Sequence, residues 1–189
     1  IPIAVLSYEV TNTASVPVEV AVCGSIRNFI GKDGSQYVTN WKGDYVPTGC
    51  KGNKNAYKEA DGLKGIYFYS EGFDKADPAY GNMALSTQAT EGVTYRTSSK
   101  ADEWNNGILG FWDDFSADGM LSEMDRQYDE DPMASLAVKK KLAPGKTESF
   151  TFFLTWNFPN RKAWSATVVG NYYSQQYPDA WQTACKVVP

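Results

Sequence analysis

The chain has 189 residues, of which 42% are hydrophobic, so a domain with a sizeable core is expected and disorder throughout is not. Its net charge is −4, which excludes the basic surface of a nucleic-acid-binding protein. It contains no histidine, which excludes serine–histidine and cysteine–histidine catalysis and a histidine-ligated zinc site. No apolar run approaches the length of a membrane span. We therefore predict neither a nucleic-acid partner nor a membrane span.

The chain begins with two segments that alternate with period two, residues 3–11 and 16–27. This alternation predicts two β-strands. The polar residues 12–15 between them are typical of a turn, and Pro17 is tolerated at the start of a strand. We predict that the two strands form an antiparallel pair inside a β-sandwich.

The middle of the chain predicts a long insertion followed by short strands. Residues 28–64 are rich in glycine, lysine and asparagine, which indicates an irregular loop, and loops of this length are usually functional or mobile. Residues 65–70, 83–89 and 93–98 are predicted strands. The stretch GILGFWDDFSADGML, residues 107–121, is rich in glycine and acids and is interpreted as a further irregular segment.

Near the end of the chain, residues 133–142 and 147–156 are predicted strands joined by a tight turn at 143–146. One face of the second strand is predicted to lie in the core, and its residues are Phe150, Phe152, Leu154 and Trp156.

A helix is predicted over the tail, residues 177–188, with Pro178 near its start and Asp179 in its first turn. Many strands and one helix indicate an all-β, antiparallel β-sandwich with long loop insertions and a C-terminal helical lead-out. We expect residues 1–189 to be one such domain and to be a fragment of a larger multidomain protein. The sequence leaves open whether that protein is exported or cytoplasmic.

The three cysteines, Cys23, Cys50 and Cys185, are far apart, so they predict neither a metal-binding pair nor a disulfide framework. Cys23 lies in an apolar strand and is expected to be a buried thiol. A Cys50–Cys185 disulfide is left open.

Acidic residues cluster between positions 113 and 131. A glycosidase needs two carboxyl groups held about 5 Å apart for retention or about 6.5–9.5 Å apart for inversion, and neighbours on a strand point to opposite faces. Abundance alone is no such pair, so we predict no catalytic residue here. The cluster is interpreted as a solvated acidic loop.

Part of this cluster also fits a calcium-binding template. Asp114, Ser116, Asp118 and Asp125 occupy positions 1, 3, 5 and 12 of a calcium loop, and Gly119 occupies position 6. The fit departs from the template because position 12 is Asp instead of Glu and no helix is evident before the loop. Calcium at these four residues is kept as a hypothesis beside the solvated loop, and no other cofactor is predicted.

Two tryptophans in polar segments, Trp41 and Trp104, are candidates for stacking on a sugar ring. The alternative is that both are hydrophobic residues that hold loops in place, since tryptophans in loops are mostly buried. The sequence leaves both interpretations open.

Several motifs occur in an order that resembles a known family. They are the segment from Asn12 to Pro17, Trp112-Asp113-Asp114-Phe115 with Asp118-Gly119, Leu142-Ala143-Pro144-Gly145-Lys146, the stretch from Phe150 to Arg161, and Asn171-Tyr172-Tyr173 with Asp179-Ala180-Trp181. The strongest is LTWNFPNR at 154–161 followed by GNYY at 170–173. The ordered set resembles the N-terminal domain of glycoside hydrolase family 116, which includes bacterial β-glucosidases and the non-lysosomal glucosylceramidase.

The resemblance implies a β-sandwich that precedes an (α/α)6 catalytic domain in the same polypeptide. In that family the nucleophile and the acid/base, a Glu and an Asp, lie in the helical domain, so no catalytic residue carries over to this chain. The parent enzyme is then expected to hydrolyse β-glucosides with retention, on a carbohydrate or glycolipid substrate.

The same motifs supply a candidate surface for an interdomain contact or a cleft rim. The residues are Phe158, Pro159, Asn160, Arg161, Asn171, Tyr172 and Tyr173. Arginine offers a planar charged fork, and tyrosine combines an apolar ring with a polar tip, which suits such a contact. We expect Arg161 to be at least partly exposed. The alternatives are that this segment merely ends a strand, and that the chain is a free-standing carbohydrate-binding module.

Overall fold

The computed structural model describes residues 1–32, 37–39, 42, 45–47, 52–99, 106–124 and 132–188. The first strands are β1 (Ile3–Thr11), β2 (Val18–Arg27), β3 (Tyr37–Thr39), β4 (Tyr45–Pro47), β5 (Asn53–Ala60), β6 (Leu63–Ser70), β7 (Asn82–Thr87) and β8 (Val93–Ser99). After them come helix α1 (Asn106–Asp118), β9 (Met133–Leu142), β10 (Thr147–Asn157), β11 (Asn160–Lys162), β12 (Val168–Gly170), a 3-10 turn (Tyr172–Gln175) and helix α2 (Ala180–Val187).

Two antiparallel sheets pack face to face, which confirms the predicted all-β sandwich. Sheet A has the strand order β1-β10-β7-β6-β5 and sheet B has the order β2-β9-β8. The core between them combines buried side chains of both sheets, including Phe68, Leu85, Phe150 and Phe152 from sheet A and Leu136 from sheet B. Burial of such residues supplies most of the stabilisation of the fold.

Each sheet is also backed by a helix on its outer face. Trp181 and Ala184 of α2 pack on Phe153 of sheet A in a second apolar cluster. Asp179 caps α2, since its carboxylate accepts from the amide of Gln182 at 2.7 Å, so the predicted tail helix is confirmed. The other helix, α1, packs on β8 of sheet B. The prediction that residues 107–121 are irregular is therefore wrong for the residues of this helix.

The prediction that the first two strands pair with each other is also wrong. β1 pairs with β10 in sheet A, whereas β2 pairs with β9 in sheet B. The chain therefore changes sheet four times, after β1, β2, β7 and β9, and the first and last of these crossings, at 12–17 and 143–146, lie side by side. Period-two alternation identified these strands but contains no information about which sheet each one joins.

Asn12 links the crossing at 12–17 to the crossing at 143–146. Its side-chain amide donates to the carbonyl oxygens of Val16 at 2.9 Å and Leu142 at 3.0 Å. Its backbone amide donates to the carbonyl of Lys146 at 2.9 Å, and its own carbonyl accepts from the amide of Gly145 at 2.9 Å. Asn12 and Leu142 are both buried, so the bond between them satisfies a carbonyl that lies away from water.

The two ends of the sandwich differ because long and short connections alternate along the chain. One end, here the tight-turn end, holds the short connections at 12–17, 61–62, 88–92 and 143–146. The opposite end, here the loop-rich end, holds the long connections at 28–52, 71–81, 100–132 and 158–179. Binding residues in sandwich proteins cluster on such loops, which the sheets hold in position.

In the described part of residues 28–64, which were predicted to be an irregular loop, the chain forms β3, β4, β5 and the start of β6, and β5 is the edge strand of sheet A. The sequence analysis did not predict β5, because the side chains of this strand that point inward are asparagines. Asn53 donates to the carbonyls of Asn28 and Ile30, and Asn55 donates to the carbonyls of Thr97 and Pro132. These bonds connect the ends of both sheets at the loop-rich end.

Replacing Asn12 by Ala should lower the free energy of unfolding by about 3 kcal/mol, because the buried carbonyl of Leu142 and the carbonyl of Val16 both lose their side-chain donor. Urea denaturation measures this change. Ser15→Ala, an exposed change in the same turn, is the matched control and should change stability by less than about 0.5 kcal/mol. Equal stability of the two variants would contradict the role of Asn12.

Candidate functional site

A short hairpin projects from the loop-rich end directly after β10. β11 and β12 pair with Asn160 opposite Gly170 and with Lys162 opposite Val168. The hairpin and the 3-10 turn that follows it contain or adjoin all seven residues of the predicted surface, so the structure brings these residues together.

The base of the hairpin is held by hydrogen bonds to Phe158. The Tyr173 hydroxyl accepts from the amide of Phe158 at 2.8 Å and donates to its carbonyl at 2.9 Å. The side chain of Asn171 donates to the same carbonyl at 2.8 Å, and its backbone amide donates to the carbonyl of Pro159 at 2.7 Å. Four of the predicted residues therefore fix the base of the hairpin.

Packing and one further side chain hold the base against the sandwich. The ring of Phe158 lies so close to Gly81 that a Cβ atom there would come within 2.1 Å of it. Asn160 donates to the carbonyls of Lys75 at 2.6 Å and Asp77 at 3.0 Å. The hairpin is thus joined to the connection at 71–81 as well as to β10.

Asn157, the last residue of β10, helps to hold α2 against sheet A. It is buried, and its side chain donates to the carbonyl of Tyr177. Beside it, Thr155 donates to the carbonyl of Ala180 at 2.7 Å, and the side chain of Asn82 accepts from the amide of Ala180 at 2.7 Å. The sequence predicted one buried face of β10, whereas the structure buries both, because α2 covers the second.

The hairpin tip, residues 163–167, and its flanks point into solvent. Arg161 is exposed, as expected, and forms no ion pair with a described residue. Trp164 in the tip is fully exposed, and Tyr172 is 75% exposed. A tryptophan is rarely left in water over its whole surface, so Trp164 makes this hairpin a candidate contact surface. The sequence analysis missed Trp164, although its place beyond Pro159 and outside the alternating segment was a usable signal.

The calcium template does not have its predicted conformation. Asp114, Ser116 and Asp118 lie on helix α1, where positions two apart point in nearly opposite directions, and Asp125 lies outside the described residues. Within the described ranges, no three acidic, cysteine or histidine side chains converge as metal ligands. The calcium hypothesis therefore loses the loop on which it was based.

Asp114 has a structural partner instead. Its carboxylate accepts from the buried guanidinium of Arg96 at 2.7 Å and from the amide and hydroxyl of Ser122, each at 2.8 Å. Partial burial alone would raise the pKa of Asp114, but the bonds from Ser122 and the charge of Arg96 outweigh it, so the pKa lies below its ordinary value. A neighbouring acid, Glu123, accepts from the amide and hydroxyl of Thr97.

The remaining predicted residues differ in what the structure describes. Trp41, Trp104 and Cys50 lie outside the described residues. Cys185 carries a free thiol. Cys23 is half-buried, and burial raises the pKa of its thiol to about 11.

Tyr173→Phe should lower the free energy of unfolding by about 1–2 kcal/mol, because the hydroxyl that both donates to and accepts from Phe158 is removed. Tyr172→Phe is the matched control, since that ring is mostly exposed, and it should be near neutral. Chemical denaturation of both variants measures the difference. An equal effect of the two changes would show that the Tyr173 hydroxyl does not hold the hairpin base.

Acid should weaken the docking of α1. The folded-state pKa of Asp114 lies below the unfolded value of about 3.9, so its contribution is fully present above that value and is lost as the pH falls through the folded-state pKa. Asp114→Asn should therefore be less stable at neutral pH and lose less stability on acidification than the unchanged chain. Asp113→Asn, an exposed neighbour, is the control, and an unchanged acid profile in Asp114→Asn would contradict this prediction.

Comparisons with known proteins place the chain in a family. Among the helices of the described ranges, none has the length and apolar character needed to cross a bilayer. No curated protein matches the chain. The family model described as beta-glucosidase 2, glycosyl-hydrolase family 116 N-term, matches residues 1–189. The chain therefore belongs to the N-terminal domain family of glycosyl-hydrolase family 116.

Proposed function

We propose that the chain is a non-catalytic N-terminal domain of a β-glucosidase, and that it packs on a catalytic domain of the same polypeptide and frames the mouth of its active site. Membership of the N-terminal domain family supports the link to a β-glucosidase. The resemblance described above implies an (α/α)6 partner that holds the catalytic Glu and Asp. It also implies retaining hydrolysis of a carbohydrate or glycolipid such as glucosylceramide.

The observation that carries the proposal is the contrast between the base and the tip of the hairpin. The base is fixed by hydrogen bonds from Tyr173, Asn171 and Asn160, whereas Arg161 and Trp164 extend into solvent. A rigid support for exposed side chains lowers the entropy lost when they bind. Tryptophan, tyrosine and arginine are also the residues that contribute most to the binding energy of protein interfaces.

The acidic residues of the chain support a non-catalytic role because two of them already have structural partners. Asp114 binds Arg96 and Ser122, and Glu123 binds Thr97. Arg161, in contrast, offers a planar fork that pairs with a carboxylate in two hydrogen bonds. An acidic surface on the catalytic domain is therefore the partner that this arginine fits.

The double change Arg161→Ala/Trp164→Ala in the full-length polypeptide tests the proposal. Each truncation of a central interface residue costs about 2 kcal/mol, so we expect separate unfolding of the two domains and a fall in kcat/KM of at least about tenfold. Calorimetry and hydrolysis of an aryl β-glucoside provide the two measurements.

The matched control is Tyr8→Ala/Lys146→Ala, which removes one exposed aromatic ring and one exposed cation away from the loop-rich end. This control should leave activity and the unfolding transition unchanged. Equal behaviour of the two double variants would contradict docking through the hairpin. Cleavage of an aryl β-glucoside by residues 1–189 alone, abolished by Asp113→Asn, would contradict the non-catalytic role.

A second candidate function, that of a free-standing carbohydrate-binding module, is favoured by the exposed rings of Trp164 and Tyr172. Titration with oligosaccharides, followed by tryptophan fluorescence, separates the two functions. Saturable binding that is lost on Trp164→Ala, Trp41→Ala or Trp104→Ala supports the module. The docking proposal expects no saturable binding to the domain alone.

A further inference from the structure

Helix α1 exposes an apolar face that nothing in the described chain covers. Ile108, Leu109 and Trp112 are 51%, 59% and 60% exposed. Their spacing of i, i+1 and i+4 places them on one side of the helix. Surface helices of globular proteins normally turn such residues inward, so an outward apolar face indicates an interaction surface.

The orientation of the helix is fixed from the opposite side. The guanidinium of Arg96, which is 6% exposed, binds the carboxylate of Asp114 at 2.7 Å and reaches the carbonyl of Gly110 at 3.5 Å. Gly110 and Asp114 lie two positions beyond Ile108 and Trp112, a rotation of about 200°. Rolling the helix to bury its apolar face would break this ion pair and leave the buried Arg96 guanidinium without its carboxylate.

The charges beside this face are negative. Asp113 and Asp118 are exposed, and the sequence of α1 contains no lysine or arginine. An apolar surface with an acidic border fits an apolar groove with a basic border. The same charges oppose an anionic lipid surface and a second copy of α1.

The position of α1 indicates which body covers it. β8 ends at Ser99 at the loop-rich end, and α1 is the next element of the chain. Directly after the helix comes Gly119, where a Cβ atom would lie 2.9 Å from the Cβ of Ala21 in the middle of β2. The helix therefore runs from the loop-rich end across the outer face of sheet B, and its first turns lie towards the end from which the hairpin projects.

We propose that the face formed by Ile108, Leu109 and Trp112 is a second docking surface. Its occupant is an apolar groove bordered by lysine or arginine on the catalytic domain of the same polypeptide. This inference rests on the proposed function, because it requires that domain to cover the loop-rich end. It adds a contact of opposite charge to that of the hairpin, so the two contacts together define one orientation of the catalytic domain.

Hydrogen exchange in the full-length polypeptide tests the inference. Leu109→Ala/Trp112→Ala should accelerate amide exchange at least tenfold in a segment of the catalytic domain that differs from the one affected by Arg161→Ala/Trp164→Ala. Asp113→Lys should accelerate exchange in the first of these segments, because the repelled border is basic. The control Val16→Ala/Glu9→Lys, which changes exposed residues outside α1 and the hairpin, should leave exchange in both segments unchanged. Far-UV circular dichroism confirms that each variant is folded.

The outcomes separate this inference from the proposed function. If only the hairpin variant accelerates exchange in the catalytic domain, the α1 surface is not a contact and the proposed function stands. If neither variant does so, both fail. A dimer seen by sedimentation and lost on Trp112→Ala would assign the surface to a second copy and overturn the inference. Binding to phosphatidylserine vesicles that is lost on Trp112→Ala would overturn it in favour of a lipid.

Discussion

The pair of neighbouring crossings at 12–17 and 143–146 is the constraint on which the rest of the molecule depends. With β1 and β10 in one sheet and β2 and β9 in the other, the chain joins the two sheets at both of these connections, and they lie at the same end. Both joins are short, and the side chain of Asn12 lies between them and binds carbonyls of each. A buried amide that serves two chain segments fixes how the sheets are placed over one another. The core and the direction of every long loop follow from that placement.

Polar side chains also hold backbone carbonyls by hydrogen bonds at the loop-rich end. Asn28, Asn53 and Asn55 are buried and donate to backbone carbonyls of strands β6 and β8 and of the connection that follows β2. Long loops carry many backbone groups that the ladders of the sheets do not pair, and buried asparagines supply their hydrogen bonds. The hairpin base follows the same principle with Asn160, Asn171 and Tyr173. The proposed contact surface is therefore held by amides and a phenol, and apolar packing contributes mainly through Phe158.

The sequence predicted the features that depend on local pattern. Alternation located most strands, the cap at Asp179 located α2, and the ordered motifs identified the family and the residues of the hairpin. Sheet membership was mispredicted because alternation is the same in either sheet. β5 was missed because its buried positions are asparagines, and α1 because its glycines and acids obscured a helix whose apolar face points outward. Trp164 was missed because exposure depends on tertiary structure.

The alternation of short and long connections has a consequence for how such a domain changes during evolution. Of the four short connections, the turn at 61–62 joins the paired strands β5 and β6, and the other three join one sheet to the other, so residues added to the long connections at the other end leave these links unchanged. Doubling the length of a flexible loop costs only about 0.6 kcal/mol in closure entropy. A lineage can therefore lengthen, shorten or replace the loops of one end at little cost in stability. The domain is suited to adapting one enzyme to new surroundings while the scaffold stays the same.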